Sequence, residues 1–148
     1  MRPDTIIFDE VEPEVEMKLS KEKPPIYETL VEKFGIRWED GVVITYGDTA
    51  YCFRDLSDDL IVHERVHVVQ QLAMGVELWW ELYLEDPEFR IEQEVEAYRK
   101  QYQFLCATIQ DRNKLFSERL RLARDLSSPM YGNIISQNVA DRLITQRV

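Results

Sequence analysis

Histidine and cysteine are nearly missing from this chain: two of each stand among 148 residues. Cys52 and Cys106 lie far apart and form no CxxC pair. That spacing argues against a disulfide framework and against a zinc site built on thiolates. Two buried thiols in a reducing compartment are expected instead. Long apolar runs are missing too. No segment approaches the roughly 18–20 apolar residues that cross a bilayer. The opening stretch MRPDTIIFDEVEPEVE, whose longest apolar run is Ile6–Phe8, does not read as a signal peptide. A soluble, cytoplasmic protein is the expectation, virion-associated if a phage encodes it. Positive charge is in the minority, 18 basic against 28 acidic residues, for a net charge of −10. Such a field repels nucleic acid and anionic membranes. The one basic stretch, Arg112–Arg124, reads as a solvated helix face.

What is present suffices for one domain. Hydrophobic residues make up 45% of the chain, and a chain of this length does not need disulfides to fold. Residues 1–25 are acidic and end in KEKPP, which suggests an extended arm with a short strand at Thr5–Phe8. Residues 26–148 then form a single domain. Ile26, Leu30 and Phe34 have helical spacing before Gly35. Val42–Tyr46 and Ala50–Phe53 flank Gly47-Asp48, a hairpin signal. From Ser57, a good N-cap, helices are expected to about Met74, over Val76–Leu84, from Asp86-Pro87 to about Asp111, over Lys114–Leu126 and over Ile134–Arg147. SSPMYGN (127–133) is a loop. The fold class is α+β, mostly helical, with a small hairpin near the front.

The chemistry lies in His63-Glu64-Arg65-Val66-His67, an HExxH. Histidines at i and i+4 project from one helix face and can reach one metal ion. The intervening glutamate can take a proton from water at that metal. Two randomly placed histidines meet this pattern on the order of 0.1–0.2% of the time. The competing reading is an amphipathic helix with two incidental histidines.

A catalytic zinc takes three protein ligands and keeps one position open. No third histidine exists, so a carboxylate must serve, and Ile91–Tyr98 offers Glu92, Glu94 and Glu96. At about 100° per residue, Ile91, Val95, Tyr98, Tyr102 and Leu105 share a stripe, Glu94 falls beside it at about 300°, and Glu92 and Glu96 point away. Glu94 is the third ligand on this geometry. Tyr98, one turn on, supports a ligand through its hydroxyl. Gln70, one turn after His67, lines the cleft or orients a ligand. Trp79 and Trp80 are core or cleft wall. Tyr131, in a loop, is the candidate to stabilise an oxyanion, with Tyr98 and Arg99 as alternatives.

HERVHVVQQ followed by EVEAY resembles the gluzincin-type metallopeptidases, most closely the minigluzincins and related phage and bacterial zincin-like proteins. The resemblance covers residues 63–98, about a quarter of the 148. It implies a zincin-like fold, one zinc ion on His63, His67 and Glu94, Glu64 as general base, and a peptide or protein substrate held at the edge of a strand before the HExxH helix. Val42–Phe53 stands in that place. Where many gluzincins have Asp, this chain has Tyr98. Two other functions compete with peptide hydrolysis. A structural zinc site needs a fourth protein ligand, and no convincing one is found. A silent zincin-fold protein that binds a partner has no need of Glu64. The acidic arm or the last helix could also lie across the cleft and keep the enzyme latent.

Overall fold

Gly47, at φ 65°, turns the chain back on itself as only glycine does readily. The computed structural model, which describes residues 15–146, pairs β2 (Ile44–Tyr46) with β3 (Thr49–Tyr51) across that turn, antiparallel, Thr45 opposite Ala50. The hairpin is shorter at both ends than the apolar runs that announced it. A third strand, β1 (Lys18–Ser20), adds to β3 in parallel, Leu19 opposite Ala50. The acidic arm therefore joins the sheet at its inner end, which composition did not show. The expected strand at Thr5–Phe8 lies outside the described residues.

Helices make up the rest, so the α+β, mostly helical class holds. The first, α1 (Tyr27–Phe34), ends at Gly35 in the left-handed region. A 3-10 turn at Trp38–Asp40 leads to the hairpin. The HExxH sits in α2 (Asp58–Met74). Ser57 occupies the cap position, but its hydroxyl donates to Asp59 Oδ1 at 2.7 Å instead of capping. The helix α3 (Val76–Glu85) follows Gly75 directly. Asp86 then caps α4 (Pro87–Thr108), its carboxylate accepting from the Glu88 and Phe89 N–H groups. α4 stops at Thr108, short of Asp111, because Asp111 caps α5 (Arg112–Leu126). The SSPMYGN loop holds a 3-10 turn at Pro129–Tyr131. Ser136 caps α6 (Gln137–Thr145), which starts three residues later than the expected Ile134.

The α2 and α4 helices pack on each other, α3 crosses both, and α5 and α6 cover the rest of α4. Trp79, Leu122, Leu126 and Ile144 are among the core side chains. The basic stretch behaves as a helix face: Leu122 and Ala123 point inward while Arg119 and Arg121 pair with acids. A further expectation fails. Cys52 is buried, but Cys106 is exposed. Leu105 takes the inward position on α4, and about 100° further round the next residue faces out. No helix among the described residues is long and apolar enough to cross a membrane.

Candidate metal centre

The packing of α2 on α4 brings three side chains to one point. His63 Nε2 and His67 Nε2 each lie 3.2 Å from Glu94 Oε1. All three residues are buried, as the helical-wheel reading of Glu94 required, while Glu92 and Glu96 are exposed. Two imidazoles aimed at one carboxylate oxygen call for positive charge between them. Around a tetrahedral zinc with ligands at about 2.0–2.1 Å, neighbouring ligand atoms are about 3.3–3.4 Å apart. The observed spacing is close to that, so these residues fit a zinc ion.

The rear nitrogens of the imidazoles decide which face is offered. Gln101 Nε2 donates to Asp59 Oδ2 at 2.8 Å, and Gln101 Oε1 lies 2.9 Å from His63 Nδ1. Gln70 Nε2 donates to the Gln93 carbonyl and to Glu96 Oε1, and Gln70 Oε1 lies 2.8 Å from His67 Nδ1. The amide partners are all acceptors, so each amide must present its oxygen to the ring. Both histidines then carry hydrogen on Nδ1, so Nε2 is the nitrogen that faces Glu94 and, once it gives up any proton, the one free to bind a metal. Gln70, expected to line the cleft or orient a ligand, holds the His67 ring and is not among the residues that line the cavity described below.

Glu94's second oxygen is held as well. Tyr83 donates its hydroxyl to Glu94 Oε2 at 2.6 Å, and the ring stacks on Trp79 with centroids 4.8 Å apart. Tyr98, expected to support a ligand through its hydroxyl, works differently. Its ring meets His63 edge-on at 4.5 Å, and its hydroxyl pairs with that of Tyr131 at 2.9 Å. Trp79 and Trp80 are buried and line the cleft, as expected. Arg99 points elsewhere, to the Leu143 carbonyl.

Glu64 sits beside the three with its oxygens divided. Oε1 accepts from the Thr45 hydroxyl at 2.9 Å, and Oε2 faces His63 Nε2 at 3.9 Å. β2 is clamped to α2 by Gln71, whose amide donates to the Thr45 carbonyl at 2.7 Å and accepts from the Gly47 N–H. Gln71 thus mimics a neighbouring strand. Thr45's carbonyl points away from β3, and so does its N–H, since both leave a strand residue on one side. Val43, just before β2, and Ile44 and Thr45 within it border a cavity of about 500 Å³ that is also lined by His63, His67, Glu64, Glu94 and Tyr131.

Burial sets the electrostatics, and neighbours tip them. Burial opposes charge on His67, yet the Glu94 carboxylate lifts its pKa to about 9. Burial likewise acts to raise Glu94, but the two imidazoles hold it well below the usual carboxylate range. For Glu64 burial wins, and its affinity for a proton rises despite the histidines and Thr45. Burial, with the charge of Glu94, keeps Tyr98 and Tyr131 neutral well above their usual range.

Sequence reading missed Tyr83, Gln101, Asp59, Thr45 and Gln71. Gln101 had a signal: it is seven residues after Glu94, two turns along the same face. Gln71 stands in the same relation to Glu64. Tyr83 and Thr45 come from other elements and had none.

No family model, curated protein or solved structure matches the chain.

Proposed function

We propose that this protein is a zinc-dependent metallopeptidase with a zincin-like arrangement, binding one zinc ion through His63, His67 and Glu94. The observation that carries the reading is the pair of 3.2 Å approaches of His63 Nε2 and His67 Nε2 to Glu94 Oε1, with Glu64 alongside. A zinc ion there supplies Lewis acidity, polarising a substrate carbonyl and acidifying water beside it.

The chain's own residues do the rest. Glu64 Oε2 takes the proton of the attacking water and delivers it to the leaving amine. Its burial suits that task, since a raised proton affinity brings a carboxylate closer to neutral pH. Thr45 holds Oε1 so that Oε2 is the oxygen that works. The N–H of Thr45 and the free edge beside it receive an extended peptide backbone, which adds as a strand to β2. Tyr98 and Tyr131 share one hydrogen bond. One hydroxyl of the pair therefore keeps a proton to donate to an oxyanion, which is the role we assign to Tyr131 with Tyr98 as its partner. Three ligands leave a position open to substrate, which favours catalysis over a structural zinc.

The test is metal content by mass spectrometry on untagged protein purified without added metal, beside Glu94→Ala. About one zinc per chain, lost in the variant, supports the site. A peptide-library screen with Glu64→Gln as the inactive control then tests hydrolysis. Wild-type protein that stays metal-free after reconstitution sinks the proposal.

A further inference from the structure

Behind His63 runs a chain of polar contacts that the reaction itself does not use. It begins at Gln101, which is fully buried at 0% exposure. It continues through Asp59, in the first turn of α2, to Arg121 on α5, whose Nη2 is 3.3 Å from Asp59 Oδ2. Arg121 also meets Glu118 at 2.6 Å. A fully buried amide, here tying α4 to α2, is costly unless satisfied. Leucine or methionine would fill the same volume without that demand.

We infer that Gln101 is a positioning residue for the metal site: anchored by Asp59, it fixes His63 with hydrogen on Nδ1 and its Nε2 lone pair toward the metal. The inference rests on the zinc reading above and adds the device that prepares it.

The direction of the relay is fixed by chemistry. Arg121 can only donate, so Asp59 accepts from it. Asp59 also accepts from Gln101, which leaves the Gln101 oxygen for the ring. The carboxylate polarises the amide, whose oxygen becomes a stronger acceptor for Nδ1–H, and Nε2 becomes a better ligand. The negative charge stays one residue away from the metal, so the centre keeps more positive charge than a carboxylate directly on His63 would allow. His67 has a weaker counterpart: Gln70 is anchored at the rim by the exposed Glu96. The two histidines thus differ, one locked from the interior and one held at the surface.

The experiment is a zinc titration against a chromogenic chelator, using the full chain as wild type, Gln101→Met, Gln101→Glu and the double variant Asp59→Asn with Gln101→Glu. Melting of each metal-free protein is followed in parallel. Gln101→Met should bind zinc roughly 10–100-fold more weakly, the range usual for such outer partners. Gln101→Glu alone sets two carboxylates against each other and should also weaken binding. The double variant reverses the relay: the amide introduced at position 59 donates to the carboxylate introduced at position 101, that carboxylate accepts from His63, and Arg121 keeps Glu118 and Asp125 as its acceptors. It should recover most of the affinity lost in Gln101→Glu. Recovery of binding separates positioning from packing, because packing gives no reason for the second substitution to help. If Gln101→Met fails to fold, the comparison of Gln101→Glu with the double variant decides alone. Wild-type zinc affinity in Gln101→Met, or no recovery in the double variant, overturns the inference while leaving the zinc site standing. No zinc bound by the wild type overturns the functional proposal and the relay together.

Discussion

Thr45 Oγ1 donates a hydrogen bond to Glu64 Oε1 across 2.9 Å, joining the edge strand β2 to the HExxH helix α2. One residue thereby touches both parts of the proposed reaction. Its side chain sets the base, and its backbone lies on the edge where substrate would pair. Thr45→Val keeps the shape and loses the donor. A hydrogen bond to a charged group is worth about 1.5–3 kcal/mol, so kcat on a peptide found by library screening should fall roughly tenfold or more. Zinc content should not change, and Thr45→Ser should restore most of the rate. An unchanged kcat would show that Glu64 does not need this anchor.

Tyr83→Phe isolates the second oxygen of Glu94. The ring remains, so the stack on Trp79 persists, but the 2.6 Å hydrogen bond to Oε2 is lost. Zinc affinity should drop on the order of 10-fold, at the lower end for outer-shell partners. Equilibrium dialysis against limiting zinc reads this directly. Equal affinity in both proteins would mean that Glu94 is held by the helices alone.

Zinc itself should stabilise the fold. A ligand at a hundred times its dissociation constant adds about 2.7 kcal/mol. For a chain of this size that is a rise in Tm of roughly 5–10 °C. Calorimetry with saturating zinc, then with chelator, measures the shift. Identical melting under both conditions contradicts a specific site.

Acid should weaken the contact of α5 with α6. Arg119 grips Asp141 through two bonds of 2.7 Å, and that hydrogen bonding, against a small opposing effect of burial, lowers the Asp141 pKa from 3.8. A carboxyl lowered in the folded state stabilises it above its unfolded value. That stability is lost as pH falls through the folded value. Wild type should therefore exceed Asp141→Asn in stability near pH 7, by no more than about 1 kcal/mol for a pair this accessible. The two should converge well below pH 3.8. Urea unfolding at several pH values follows the difference, and a constant gap at low pH would rule out this origin.

Much of the centre was legible because it is local. His63 and His67 share one helix, so their spacing alone places them on one face, with Glu64 at its flank. Glu94 could be ranked above Glu92 and Glu96 because helical periodicity fixes which side of α4 faces inward. The element order followed from caps and turns: Gly35 after α1, Asp86 before Pro87, Gly47 in the hairpin. Errors arose where neighbouring signals compete, as at Asp111, which caps the next helix and so ends the last one early.

The remainder required the fold. β1 has a parallel partner far along the chain, in β3, and nothing in Lys18–Ser20 names it. Tyr98 sends its hydroxyl to Tyr131 because the loop after α5 returns to α4, and Tyr83 reaches Glu94 because α3 crosses both helices that bear the proposed ligands. Sequence by itself determined which residues are available for the proposed chemistry, since covalent spacing on a single helix dictates direction. Tertiary structure alone decided which side chains hold those residues in place. Such contacts join segments far apart in the chain, and their partners are chosen by packing rather than by spacing.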